Sequence, residues 1–302
     1  MKFPVVAVQF KNVVRIMSVV LLAAAVAGCS TLKLAYSQAP EAAYWWVTDY
    51  IDFKDEQKPA VKAALSRIHE THRRTQLPGY ASTLQSLQRQ AGGDITPAQA
   101  CAVFSEVESK AHALAQLVDG AAPALALLVT TLDADQLARM ERRFTKANAA
   151  YRDEYVLPTR EARHERRFKQ SIKRAEMFYG SLDAAQVELV RRRISQSTYD
   201  PAIAYAERVR RQQDVLATLR ELMANRSARG ESLEPIRTAF KGLIRRSVTS
   251  PEEGYRRHDE ASRRQGCQTW AELHNSTSPQ QRASAVEKLR SYEADLSQMQ
   301  AF

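Results

Sequence analysis

The sequence predicts an all-α protein, and three observations carry that expectation. Glycine is scarce, with 10 in 302 residues, while the strong helix formers Ala, Leu, Arg, Glu and Gln dominate. Apolar residues recur at helical spacing, as in Leu137, Met140 and Phe144 or Val187, Val190 and Ile194, and period-two alternation is nearly absent. Prolines stand just after capping residues, at Thr96-Pro97, Asp200-Pro201, Ser250-Pro251 and Ser278-Pro279, where the first turn of a helix tolerates them. The architecture expected is a multi-helix, bundle-like domain.

The first 28 residues read as an export segment. Lys2, Lys11 and Arg15, with no acid, precede an apolar stretch from Ile16 to Val26 that only Ser18 interrupts. A basic flank, a short apolar core and small residues before a cut site describe a secretory signal. The core is short for a helix crossing a hydrocarbon layer of ~30 Å. The stretch ends in Val26-Ala27-Gly28-Cys29, which resembles the bacterial lipobox. That resemblance implies acylation of Cys29 and removal of residues 1–28. Several acyl chains hold a protein on a bilayer because each buried CH₂ contributes ~0.8 kcal/mol. Ser30, rather than Asp, follows the cysteine and favours the outer membrane, facing the periplasm. The alternatives are an uncleaved anchor, or an ordinary signal with an incidental cysteine.

Cleavage leaves 274 of the 302 residues and, by removing three cations, takes the net charge from +10 to +7. A short lipid-anchored tether over 29–39 then leads into a single helical domain over 40–302. Its helices are expected at about 40–53, 56–75, 78–91, 96–118, 123–131, 133–156, 159–179, 183–196, 200–226, 232–248, 251–273 and 278–299, with some merging into roughly ten. Pro123 is taken to open one of them. Gly92-Gly93 and Asn225 to Gly230 read as loops.

One layout recurs at helix starts. Thr96 with Gln99, Asp133 with Gln136, Asp183 with Gln186 and Ser278 with Gln281 each place a capping oxygen three residues before a glutamine. The first accepts from the N3 amide and the glutamine reaches back to the N-cap amide, a capping box. Ser250 and Glu253 offer another. Leu132 with Leu137, and Leu182 with Val187, stand where a hydrophobic staple would close.

Cys101 and Cys267 either pair or remain two buried thiols. An oxidising compartment permits pairing, and a bridge closing 166 residues is worth ~5 kcal/mol in the chain-entropy model. Tyr44, Trp45 and Trp46 either pack the first helix or rest at a headgroup layer beside the lipid. His69 and His72 flank Glu70 at i, i+3, without the i, i+4 spacing of a His-Glu-x-x-His zinc site, and no metal is expected. The stretch 139–211 holds 18 cations against 10 acids. Arg139, Arg142, Arg143, Arg163, Arg166, Arg167, Arg191, Arg192 and Arg193 are its candidate contacts to an anionic envelope component or an envelope protein. The competing reading is a set of solvated helix faces bridged by Glu141, Glu165 and Glu176. Nucleic acid is not an expected partner, because no base-stacking platform interleaves the cations.

Two resemblances add to this. Leu34-Ala35-Tyr36, Ala39-Pro40, Tyr44-Trp45-Trp46, Asp49-Tyr50, Asp52-Phe53, Gln57, His69, His72-Arg73, Leu77-Pro78 and Tyr80 look like an uncharacterised family of proteobacterial lipoproteins. Phe178-Tyr179-Gly180, Leu182-Asp183, Gln186, Arg211-Gln212-Gln213, Cys267, His274-Asn275-Ser276-Thr277 and Gln281-Arg282 fit it too. The resemblance covers almost the whole mature chain and implies an address and an all-helical fold, but no activity. The capping boxes also resemble the Leu-Thr-x-x-Gln motif of Spy/CpxP-type periplasmic chaperones, with Asp at 133 and 183 and Ser at 278 in place of Thr.

There is no Gly-rich phosphate loop, no Gly-x-Ser-x-Gly elbow and no cluster of metal ligands, so no catalytic residue or cofactor is assigned. The reading is a non-enzymatic envelope scaffold or binding module, joined to the membrane through its lipid. Two alternatives are a holdase with a basic concave face and an envelope enzyme of unrecognised type. The enzyme would need a pocket gathering Asp49, Asp52 and Glu56, or His69 and His72.

Overall fold

A computed structural model describes residues 32–113, 117–230 and 232–300. Among the described residues there are thirteen α-helices and no strand, so the all-α expectation holds. They are α1 (Ala39–Ile51), α2 (Lys58–Thr75), α3 (Leu77–Gln90), α4 (Pro97–Ala113), α5 (Leu117–Thr131), α6 (Ala134–Tyr151) and α7 (Arg160–Tyr179). Then follow α8 (Ala184–Ser195), α9 (Pro201–Ala224), the single turn α10 (Arg226–Arg229), α11 (Glu234–Val248), α12 (Glu253–Asn275) and α13 (Pro279–Gln300). A π-helical turn, Arg152–Val156, continues α6. The expected signal segment and Cys29 lie outside the described residues.

Within the segment expected as a tether, residues 32–37 are helical, and Tyr36 packs its ring 4.4 Å from His69 and hydrogen-bonds His72. Two expectations need correction. Pro123 does not open a helix but lies inside α5. A proline there removes one rung and crowds the preceding turn, and Arg67 donates to the Gly120 carbonyl in that turn. Ser250 does not form a box with Glu253; its hydroxyl donates to Glu207 Oε2 and accepts from the Glu252 amide. The carboxylate of Glu207 outcompetes the helix end because it is buried, at 3% exposure. Arg210 and Arg211 hold the same carboxylate, in keeping with the rule that buried charge is paired and hydrogen-bonded.

Two apolar clusters organise the packing. The first joins Tyr44 and Ile51 of α1, Val129 of α5, Leu137 and Met140 of α6, Leu216, Leu219 and Leu222 of α9, and Ile236 of α11. The second joins Phe168, Ala175 and Tyr179 of α7, Val190 and Ile194 of α8, Leu273 of α12 and Ala285 of α13. Leu132 and Leu137 sit together in the first, Leu182 and Val187 in the second, as staples would place them. All four Thr, Asp or Ser boxes close at their helix starts.

Three of these boxes do more than cap. Gln136 Nε2 donates to the Asp52 carbonyl and to Gln57 Oε1, while Gln57 donates back to Gln136 and to Thr131 Oγ1. Gln186 Nε2 donates to the Ser276 carbonyl and to Gln281 Oε1, while Gln281 donates back to Gln186 and to the Ser181 carbonyl. Each cluster therefore has one reciprocal glutamine pair locking two helix starts together. Asp52 adopts φ 59°, a left-handed conformation that aspartate tolerates, and its carbonyl is the acceptor in the first pair.

Outside these clusters, Cys101 of α4 and Cys267 of α12 form a disulfide across a separation of 166 residues, with Cα atoms 5.2 Å apart. Ile95, Ala100 and Ala271 surround it. Replacing Gln186, which is 2% exposed, by Leu should cost about 1–3 kcal/mol in urea unfolding, because the Ser276 carbonyl and Gln281 lose their donor. Gln99→Leu removes only an exposed cap and should cost no more than ~1 kcal/mol; equal losses would contradict the pairing. The double variant Cys101→Ser/Cys267→Ser should lose ~2–5 kcal/mol in the same measurement.

Candidate functional site

A cavity of about 640 Å³ is bounded by α3, α4, α7, α8, α12 and α13. One face of α7 lines it, since Arg167, Ser171, Arg174, Ala175 and Phe178 follow helical spacing. Val103 and Phe104 come from α4, Val190 and Ile194 from α8, and Trp270 and Leu273 from α12. The wall is mainly apolar, and the Cys101–Cys267 bridge joins α4 to α12 beside it.

A buried polar chain underlies this cavity. Trp270 Nε1 donates to the Tyr179 hydroxyl, which bonds His274 Nδ1 at 2.9 Å. His274 Nε2 lies 2.8 Å from the Gly93 carbonyl, which can only accept. The proton therefore sits on Nε2, and Tyr179 donates to Nδ1. Burial first, and then Arg282, holds the His274 pKa below its ordinary 6.5, despite the opposing bond to Gly93.

A second cavity, of about 420 Å³, adjoins the first; Arg167 and Ser197 line both. The π-turn after α6 and the start of α7 shape it. Arg160, Arg163, His164 and Arg166 face Tyr151, Tyr155 and Tyr199 there. Burial and then the nearby Arg160, Arg167 and Arg163 push the His164 pKa down. Glu154 lines it too and pairs with Arg166, so four arginines face one acid and the recess is cationic on balance.

Arg167 is the unusual member. Its guanidinium donates to Ser197 Oγ at 3.2 Å and lies 4.8 Å from the Tyr199 ring. No carboxylate lies within 4.0 Å of it among the described residues. Burial lowers its pKa. Burial, with help from Tyr151, pushes Tyr199 up to about 12, so the phenol supplies a ring face and not a charge.

The nine arginines expected to meet an anionic surface fall into two places. Arg139 and Arg143 pair with Asp52 and Asp49, beside the first cluster. Around the second, Arg166 pairs with Glu154, Arg191 with Glu165 and Arg193 with Glu272. Arg163 donates to the carbonyls of Val156 and Pro158, closing the end of the π-turn. Arg142 and Arg192 are exposed. Of the nine, Arg163, Arg166 and Arg167 converge on the smaller cavity, and Arg167 and Arg193 line the larger. Asp49 and Asp52 are held in ion pairs and line neither cavity. His69 and His72 instead contact Tyr36, and Tyr80 stacks near His72. Among the described residues, no group of three or more His, Cys, Asp or Glu side chains is placed to hold a metal ion.

The model of a family of unknown function, DUF6279, matches residues 49–230, more than half of the chain. The chain belongs to that family. No curated protein and no solved structure matches it. The family match takes in α2 to α10, and so the whole of α7 with Arg167. It ends before α12 and α13, which complete the larger cavity.

Sequence reasoning missed both cavities, because α4, α7, α8 and α12 converge only in the fold. His274, His69 and His72 all have folded-state pKa values held below 6.5, with burial the first cause. The unfolded chain takes up these protons first, so the stability they contribute is complete above 6.5 and is lost as pH falls below it. Thermal melts should therefore show a falling Tm between about pH 7 and pH 5, and His274→Gln should flatten that slope. An unchanged slope would remove His274 from the account.

Proposed function

We propose that the chain is a lipid-anchored envelope protein, a helical binding module held on the outer membrane through Cys29 and facing the periplasm. The observation that carries this reading is a set of exposed apolar side chains that follows the lipobox-like Val26-Ala27-Gly28-Cys29 along the sequence. Leu34, Trp45 and Trp46 are 63%, 66% and 65% exposed, within the first helical segments after that cysteine. The sequence pattern left open whether Tyr44, Trp45 and Trp46 pack inward; only Tyr44 does. Two solvent-facing indoles near a lipid attachment point suit the headgroup layer, where amphipathic rings are stable. The disulfide suits an oxidising compartment. Among the described residues no single helix is long and apolar enough to cross a membrane, so attachment in this reading depends on the lipid.

Binding, as opposed to a purely spacing role, is supported by the two adjoining cavities and the uncompensated Arg167. The anchor is tested by fractionating cells that express the natural chain or Cys29→Ala. The natural protein should partition with membranes, and its amino-terminal peptide should begin at Cys29 and carry acyl mass. Cys29→Ala should abolish both. An unmodified amino-terminal segment, or wild-type protein free in the soluble fraction, would refute the anchor.

A further inference from the structure

The two cavities meet at Arg167 and Ser197, and their chemistry is opposite. The larger, about 640 Å³, is walled by groups such as Val103, Phe104, Phe178, Trp270 and Leu289. Its volume lies in the range of small-molecule sites, about 300–1,000 Å³. The smaller is cationic. A ligand filling both has an apolar body and an anionic end.

Arg167 stands at the junction with Ser197 and the Tyr199 ring as partners, and with no carboxylate within 4.0 Å among the described residues. Arg167 is half-buried, and a cation partly withdrawn from water without a counter-ion carries a cost that an anionic ligand would offset. Arg174 lies two helical turns along the same face of α7 and is exposed. On the facing wall the Ser262 hydroxyl oxygen is buried with no partner. A free phosphate would leave the apolar cavity empty, and a neutral hydrocarbon would leave Arg167 unmatched. Most of the surface exposed inside the larger cavity is apolar, which suits an aliphatic chain better than the polar backbone of a peptide.

The geometry points to a binding site for a single-chain anionic amphiphile, a long-chain carboxylate or monoacyl phosphate. Its aliphatic chain lies between α7 and α12, and its anionic group sits on Arg167. This rests on the binding-module reading above and is independent of the anchor.

The test uses the full chain in phosphatidylcholine vesicles, irradiated with hexadecanoic acid carrying a diazirine, followed by mass spectrometry of its peptides. Adducts should fall on α7 and α12 and be displaced by unlabelled hexadecanoate or by a monoacyl glycerol phosphate. Displacement by only one of them assigns the head group; displacement by neither overturns the site. Arg167→Gln and Ser171→Trp should each reduce labelling about tenfold, as should replacing the acid probe with the matching diazirine alcohol. Circular dichroism checks that both variants fold. Should Ser171→Trp lose helicity, Arg167→Gln and the acid-to-alcohol ratio decide the matter. Equal labelling by acid and alcohol, or adducts confined to other surfaces, would overturn the proposal. Missing adducts on protein that still fractionates with membranes refute the cavity alone. Adducts on natural protein that is found unacylated in the soluble fraction refute no more than the anchor, and leave the site standing.

Discussion

The fold depends on two pairs of glutamines, of which Gln57, Gln136 and Gln186 are buried and Gln281 is half-buried. A helix start presents amides that its own ladder cannot satisfy, and burying one without partners is costly. Gln57 with Gln136, and Gln186 with Gln281, resolve this for four chain segments at once. Gln136, Gln186 and Gln281 each cap their own helix with one arm of the amide, Gln57 accepts from the Lys54 amide, and the other arms cross to a partner 79 or 95 residues away. Apolar burial alone holds surfaces together without specifying register. A fully satisfied polar network adds direction, because every member must be in place. Each pair sits at the edge of one apolar cluster, so the two halves of the packing are organised by the same device. Asp52 O and Ser276 O play equivalent parts in the two, as do Asp133 and Asp183.

The candidate site follows from the second of these centres. With α8 and α13 locked at their starts, Val190, Ile194 and Leu289 contribute to a wall that faces α7 and α12. The cavity remains because its lining alternates bulky rings with Ser171, Ala175 and Gly266, which do not reach across. At its cationic end the charge balance is uneven. Most nearby guanidiniums have acids or carbonyls, whereas Arg167 has a hydroxyl and a neutral ring. The contrast with Glu207, buried yet held by Arg210, Arg211 and Ser250, shows how the same fold treats a charge of purely structural use.

Much of the architecture was legible because helix starts are local. Asp133 with Gln136 and Asp183 with Gln186 mark boundaries within three residues, and tertiary context did not displace them. Ser250 shows the opposite case: a local capping pattern lost to a buried carboxylate 43 residues away. Pro123 was misread for a related reason, since α5 is packed along α2 and Arg67 reaches across to its disturbed turn. The site was not legible. Nothing in its sequence neighbourhood separates Arg167 from Arg163 or Arg166; what distinguishes it is which helices meet around it. The second arms of Gln136 and Gln186 were hidden likewise, since their partners lie far along the chain.

The Cys101–Cys267 link has a bearing on how anything enters the larger cavity. It ties two of the flanking helices at one level, and one turn onward Phe104 and Trp270 meet edge to face, 6.2 Å apart. Those two walls cannot part like a clamshell at that seam. A guest of the proposed kind would enter past the exposed Phe104 ring or past Arg174, with these two walls held together by the disulfide. Such a vessel loses little freedom when it fills, so selectivity would reside in the fit of the guest more than in closure of the host.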